Sequence, residues 1–239
     1  MSATSTLRDV RPDQTAPIRG AGTQQFLVSK IVTTAVLVLG ALYCLVPIAW
    51  VVIAATKSRA ELFSTFTMAP GTGLFENIAE LFAYEDGGFL RWAGNSLIYS
   101  GVGALACTIV SAAAGYGLAK YRFRGRAAMM GVLLAGVLVP GITLAIPQYM
   151  VLANLELANT YWSVLLPSVI SPFAIYLSFI FAAASVPDEV IEAGRIDGAG
   201  EFRIFGQIGL RMMVPGLVTV FLLQFIGIWN NFMLPFIML

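Results

Sequence analysis

The chain has no histidine, few charges and two cysteines. Without imidazole, Ser-His-Asp and Cys-His catalysis, two-histidine zinc sites and histidine-ligated haem are excluded. Cys44 and Cys107 each sit inside an apolar run, which speaks against both a disulfide framework and a cysteine metal cluster. Charged residues make up 11% of the 239 positions, against roughly 25% in an average soluble domain. With 58% hydrophobic residues and a mean hydropathy of +0.82, the composition argues against a soluble globule. A formal net charge of +1 leaves no electrostatic footprint for nucleic acid. No G-x-x-x-x-G-K-[ST] phosphate loop occurs, so the chain has no such ATP site of its own. No catalytic residue, metal or cofactor is expected.

What is present is apolar length. Windows 31–56, 92–119, 127–155, 157–187 and 212–239 contain no Asp, Glu, Lys or Arg. About 20 apolar residues, rising 1.5 Å each, cross a hydrocarbon core of ~30 Å. An ionised side chain at the centre of such a crossing costs roughly 2.5–3.5 kcal/mol. The windows predict an all-α integral membrane protein with five visible spans, near 30–55, 92–119, 127–150, 161–184 and 212–236. The runs do not alternate over ~10 residues as barrel strands do, and a barrel is rejected.

Eleven of the fourteen cations fall in three segments: 1–30, 120–126 and 188–211. The link near Glu156 has none, and Lys57, Arg59 and Arg91 are spread through 57–91. Because Lys and Arg accumulate on the cytoplasmic side, the N-terminus is expected inside the cell, with strict alternation after it. The polar stretch 1–25, rich in Ser, Thr, Pro and Gln, reads as a disordered cytoplasmic tail. It is too long for the charged start of a secretory signal, so it is expected to be retained. The last window runs to Leu239 without a polar cap. Either the protein stops at the outer surface or a sixth span is missing from the sequence; a missing span is expected.

The second span is dense in small residues, from Gly101 to Gly117. These suit close helix packing more than a ligand role. Pro140, Pro147, Pro167 and Pro172 interrupt the third and fourth spans, freeing carbonyls that protein or water must satisfy. Bent helices with Gln148, Asn154 and Ser171 suit a path for a neutral, hydroxyl-rich solute; ordinary kinks in a packed bundle explain each of them as well. No charge lies deep in any span, unlike most ion-coupled pumps, so energy for transport would come from elsewhere.

Between the fourth and fifth spans lies Ser185-Val186-Pro187-Asp188-Glu189-Val190-Ile191-Glu192-Ala193-Gly194-Arg195-Ile196-Asp197-Gly198-Ala199. Ser185 and Asp188 have capping-box spacing, and Pro187 suits a first turn. A short helix is predicted, ended at Gly198, with a second beginning near Glu201. Val190, Ala193, Gly194 and Ile196 approximate one small apolar face, with Glu189, Glu192 and Arg195 opposite. Such a helix is either a knob for a partner's groove or part of a hairpin lying on headgroups.

The stretch Glu192-Ala193-Gly194-Arg195-Ile196-Asp197-Gly198-Ala199, with Ile208 ten residues after Gly198, resembles the EAA loop of ABC importer permeases. Its R-I-D-G-A form is similar to the carbohydrate-uptake, maltose-type branch. Asn95-Ser96-Leu97, the run from Gly115 to Phe123, Pro147-Gln148, Trp229-Asn230-Asn231-Phe232 and Pro235 agree with it. The resemblance covers roughly residues 30–239. Two residues depart from the pattern: Gly194 stands where the family usually has Ala, and Arg211 where its loop ends in Pro, with Pro215 four residues on. The resemblance implies a type I ABC importer permease-like helical bundle over 26–239, with a cytoplasmic coupling loop at 185–211. It implies Glu192, Ala193, Gly194, Asp197, Gly198 and Ala199 as the ATPase-coupling residues, and Asn230 and Asn231 join Gln148, Asn154 and Ser171 as candidate lining of the path. It implies as partners an ATP-binding-cassette ATPase dimer, a second homologous permease, an extracytoplasmic sugar-binding protein and the lipids of a bacterial cell membrane.

Two rival readings make different demands on the residues. A stand-alone secondary transporter calls for intramembrane ion ligands or repeats with broken helices, and no such charge is present. An intramembrane enzyme calls for converging catalytic groups, and no paired carboxylates or Ser-Lys pair lie in the spans.

Overall fold

The structure, a computed structural model, describes residues 21–64 and 68–239. The expected tail falls, for residues 1–20, outside the described residues. All regular structure among them is helical. Two compact units result, Met1–Ala83 and Tyr84–Leu239.

In the first unit, α1 spans Ala21–Ala55, α2 Arg59–Ser64 and α3 Leu74–Ala83. The end of α1 is fastened by polar side chains rather than by apolar packing. Asn77 Nδ2 on α3 donates to the carbonyl of Ala55 at 2.8 Å, one of the acceptors a helix terminus leaves unpaired, and to that of Lys57, just past the terminus, at 2.9 Å. Thr56 Oγ1 accepts the Gly71 N–H at 2.8 Å, and a Cβ at Gly71 would lie 2.5 Å from the Thr56 carbonyl oxygen. Glycine is therefore required where the returning chain crosses the end of α1.

In the second unit, α4 (Gly88–Lys120) forms the axis, with α8 (Pro172–Ser185) and α11 (Leu210–Trp229) packed on it. Its buried positions Ser100, Gly103, Ala104, Cys107, Thr108, Ser111, Ala112, Gly115 and Tyr116 recur at three- and four-residue steps. They form one face of a 3.6-residue helix, and small side chains let backbones approach. A Cβ at Gly115 would lie 2.5 Å from the Phe179 nitrogen of α8. Two hydroxyls of this face are satisfied within α4: Thr108 Oγ1 donates to the Ala104 carbonyl at 2.7 Å and Ser100 Oγ to that of Ser96 at 2.7 Å. Cys44 and Cys107 are both free thiols.

Among the described residues, four helical stretches are long and apolar enough to cross a membrane: Ser29–Ala55, Gly88–Lys120, Tyr161–Ser185 and Glu201–Trp229. The window expected as one span at 127–150 is instead two helices, α5 (Arg126–Leu138) and α6 (Gly141–Asn154), bent by 102°. If that pair counts as one broken span, the total reaches five. The break has a local cause. Pro140 has no N–H and disfavours helical geometry in the preceding residue, and Val139 is accordingly extended at φ −76°, ψ 119°.

A second interruption divides α7 (Tyr161–Val169) from α8, with Ile170 extended before Ser171. Ser171 Oγ caps α8 by accepting the Ala174 N–H at 3.3 Å, and Pro172 occupies the first turn. The second loop helix, expected near Glu201, is α10 (Glu201–Ile204); it passes through a π segment, Phe205–Gly209, into α11, so the last long helix begins upstream of the span start expected at 212. It also ends earlier than the expected residue 236, because helix is lost after Trp229 and resumes only as the short α12, Met233–Met238.

Candidate functional site: a polar cavity and a helical loop

A cavity of about 550 Å³ opens where the interruptions meet. Its polar lining comes from Gln148 on α6, Ser168 on α7, Ser171 at the α8 cap, Gln224 on α11 and Asn231 after α11. Each is neutral, and the remaining walls are chiefly Gly, Pro and aliphatic side chains. Such a lining offers hydrogen bonds without fixed charge. Gln148, Ser171 and Asn231 of the expected path residues converge here. Asn154 and Asn230 do not: Asn154 ends α6 in an exposed position, and Asn230 Nδ2 donates to the Ile226 carbonyl at 3.0 Å. Ser168 and Gln224 were not anticipated. Gln224 had a signal, being the one amide side chain inside the apolar α11. Among the described residues, no group of three or more His, Cys, Asp and Glu could hold a metal.

The second feature is the loop between α8 and α10. Its helix α9 spans Asp188–Ile196, with Pro187 at the N-cap and no side-chain cap. The expected Ser185 cap is corrected here: Ser185 Oγ instead donates to the Phe181 carbonyl at 2.6 Å, one turn back in α8. The C-terminus is a Schellman closure. Gly198 adopts φ +76°, the Ala199 N–H donates to the Gly194 carbonyl at 3.0 Å and the Gly198 N–H to that of Arg195 at 3.0 Å. A left-handed residue at that point favours glycine.

The faces of α9 also differ from expectation. Gly194 does not share an outward face with Val190, Ala193 and Ile196. It is buried with Ile191, and a Cβ on it would lie 3.3 Å from both Ile204 Cγ1 and Ile208 Cδ1. Ile191 packs with Tyr116, Val186, Ile204 and Met213, and Ala199 lies against this cluster. Apolar burial decided the orientation, because Ile191 removes far more surface from water than the smaller Ala193 would. Glu192, Ala193, Asp197 and Gly198 are exposed. Beside them stand Ile196, 86% exposed, and Phe202, 94% exposed. Phe202 was missed because it lies just past the loop motif.

Charge pairs hold the loop to α4. Lys120 Nζ donates to Asp188 Oδ1 at 2.8 Å, and this partner holds the Asp188 carboxyl below the usual carboxylate range. Glu201 accepts from Arg195 Nε at 2.7 Å and from the Tyr121 hydroxyl at 2.7 Å. Partial burial first, and the Glu201 carboxylate second, push the Tyr121 phenol up to about 12. One carboxylate thus joins α9, α10 and the end of α4.

Residues 87–239 match the family described as the binding-protein-dependent transport system inner membrane component. The chain is 33% identical over 196 residues to the arabinooligosaccharides transport system permease protein AraQ of Halalkalibacterium halodurans, covering 81% of this chain and 70% of that one. It is 34% identical to the diacetylchitobiose uptake system permease protein NgcG of Streptomyces coelicolor, covering 85% and 67%. The lactose transport system permease protein LacG of Rhizobium radiobacter is also 34% identical, with 87% and 75% covered. The fold matches a chain of a bacterial ABC transporter involved in the import of the acidic polysaccharide alginate, at a TM-score of 0.72 and 23% identity over 90% of this chain and 75% of that one. The apolar helices, the broken spans and these matches agree: the chain belongs to the family of binding-protein-dependent transport system inner membrane components.

Proposed function

We propose that the chain is a membrane-spanning permease subunit of an ATP-driven sugar importer, forming half of the path and coupling to a cytoplasmic ATPase through the loop 185–211. As a permease component it is not an enzyme; ATP is hydrolysed by a separate subunit. The observation that carries this reading is the exposed surface of α9 and α10. Glu192, Ala193, Ile196, Asp197 and Phe202 face outward while Ile191 and Gly194 fix the helix from behind. A rigid helix presenting two large apolar side chains beside carboxylates suits a cleft in a partner. Glu192 is the polar anchor, Ala193 and Gly198 admit close approach, and Gly194 and Ala199 act from inside by setting the packing of the loop.

The neutral cavity around Gln148, Ser171, Gln224 and Asn231 suits a polyhydroxylated solute, and the relatives AraQ, NgcG and LacG are named for oligosaccharide or disaccharide transport. A second permease completes the path, an extracytoplasmic binding protein delivers the sugar, and the N-terminus lies in the cytoplasm of a bacterial cell. The test is whole-cell uptake of labelled arabinooligosaccharide, diacetylchitobiose and lactose, with membrane insertion followed by immunoblot. Glu192→Lys and Gly198→Asp are each expected to abolish uptake while the protein still reaches the membrane. Undiminished uptake by both would overturn the coupling assignment.

A further inference from the structure

A second cavity, of about 740 Å³, runs between α5 and α8 beside the end of α4. We propose that it seats an acyl chain of an anionic phospholipid whose headgroup is held by the arginines of 122–126. This goes beyond the transport reading and assigns a lipid site to a cavity that meets the solute cavity only at Gly136 and Pro172.

The lining is almost wholly hydrocarbon. On α5 it is supplied by Met129, Val132, Leu133 and Gly136, a single stripe at helical spacing. Pro172 and Ile175 of α8 form the facing wall. From residue 126 to residue 136 a helix rises about 15 Å, enough to follow a fatty chain through much of one leaflet, which is half of a ~30 Å core. Val132 is exposed although it lines this hollow.

Charge marks one end of the same stripe. Arg126 lies three residues before Met129, and its guanidinium stands 6.0 Å from the Phe179 ring centroid, one turn beyond Ile175 on α8. Arg122 and Arg124 alternate with Tyr121 and Phe123, which line the hollow. No carboxylate lies within 120–126. The nearest acidic group to engage the segment, Asp188, is taken by Lys120 at 2.8 Å, and Arg122, Arg124 and Arg126 form no ion pair among the described residues. An apolar trough ending in unpaired arginines complements a molecule with a hydrocarbon tail and an anionic head. A peptide helix would satisfy the trough and leave the cations unanswered.

The test uses the full chain co-purified with its partner subunits from membranes of mixed phosphatidylglycerol and phosphatidylcholine, with retained lipid counted by native mass spectrometry. Wild type is expected to keep phosphatidylglycerol in preference to phosphatidylcholine. The combined variant Arg122→Gln, Arg124→Gln, Arg126→Gln is expected to lower that retention about tenfold. Val132→Trp fills the trough without touching a cation and is expected to lower it to a similar extent. Both variants are expected to assemble with the partner subunits as wild type does, which separates lipid loss from misfolding. Wild-type retention by Val132→Trp would overturn the proposal, since the headgroup alone would then suffice. Displacement of the lipid by inorganic phosphate at equal concentration would overturn it too, as would complete cross-linking of Val132→Cys to a neighbouring protein subunit.

Discussion

Gly115→Ala should open the α4–α8 crossing. An alanine Cβ at this position would stand 2.5 Å from the Phe179 nitrogen, 2.7 Å from the Ser178 carbonyl carbon and 2.7 Å from Ser178 Cβ. Ordinary contact begins near 3.4 Å, so the helices must separate by about 1 Å. Two of the three obstacles are backbone, which cannot rotate away as a side chain would. Overpacking of a close-packed core costs typically 1–3 kcal/mol, and a backbone obstacle puts this case near the upper end. The gain in helix propensity from replacing glycine offsets at most about 1 kcal/mol. A net loss of about 2 kcal/mol corresponds to a fall of roughly 4–8 °C in Tm for a chain of this size. Gly117→Ala, two residues along the same helix with nothing within 4 Å of its Cβ, is the control and should hold or raise Tm. The assay is thermal unfolding of both variants in one detergent, followed by tryptophan fluorescence. Equal melting of Gly115→Ala and Gly117→Ala would refute the claim that backbone proximity sets this crossing.

Gly194→Ala should be tolerated in uptake and assembly assays, because its Cβ meets only flexible isoleucine side chains at 3.3 Å; Gly194→Leu should displace α9 and abolish ATPase co-purification. Phe202→Ala should reduce co-purification of the ATPase at least tenfold without lowering Tm, since the ring is 94% exposed and buried aromatics dominate interface energetics. The Asp188 carboxyl is held below its usual range by Lys120, so the tie between α4 and α9 is present above about pH 4 and is lost as pH falls through the lowered value. Melting in detergent from pH 3 to 6 should show this loss in wild type and lack it in Asp188→Asn. Gln224→Leu should impair sugar uptake at least tenfold while ATPase co-purification is unchanged.

Helical class, apolar length and the short helix before Gly198 were legible because they depend on composition and local spacing. The charge-free windows correspond to real helices, and Gly198 could be placed because a left-handed helix end selects glycine. Interruptions were legible only as proline positions. Whether Pro140 merely bends a helix or divides it at 102° is decided by what the freed backbone groups meet in three dimensions. The helix expected to begin near Glu201 does so as α10, but the π segment 205–209 that joins it to α11 leaves no periodic signature. The orientation of α9 was misjudged because its small-residue pattern suggested a face, whereas Ile191 had a hydrophobic cluster waiting for it. Asn230 and Asn231 are adjacent and chemically identical; only the path of the chain after Trp229 sends one to the cavity and the other back to its own helix.

The cavity and the loop are joined by structure that is continuous on one side and divided on the other. From Glu201 to Trp229 the chain stays helical through the π segment, so one rod carries both the Glu201 anchor of the loop and Gln224 of the cavity wall. Over that separation of 23 residues a helix rises about 35 Å. The opposing walls come from the interrupted helices: Ser171 at the α8 cap, Ser168 next to the end of α7, and Gln148 inside α6, one residue after Pro147. Near the loop, the rod is keyed to α4 by the Tyr116 ring, which would lie 2.7 Å from a Cβ at Gly209. Glycine at the end of the π segment therefore lets the rod sit directly on that ring. If a motor draws α9 sideways, as proposed, the displacement has an unbroken path to Gln224, whereas Ser168 and Ser171 stand at a joint that can yield. Under the proposed coupling, relative movement of rod and joint would change the shape of the cavity without any helix having to deform along its length, so a pull on the loop would reach a solute held beside Gln224.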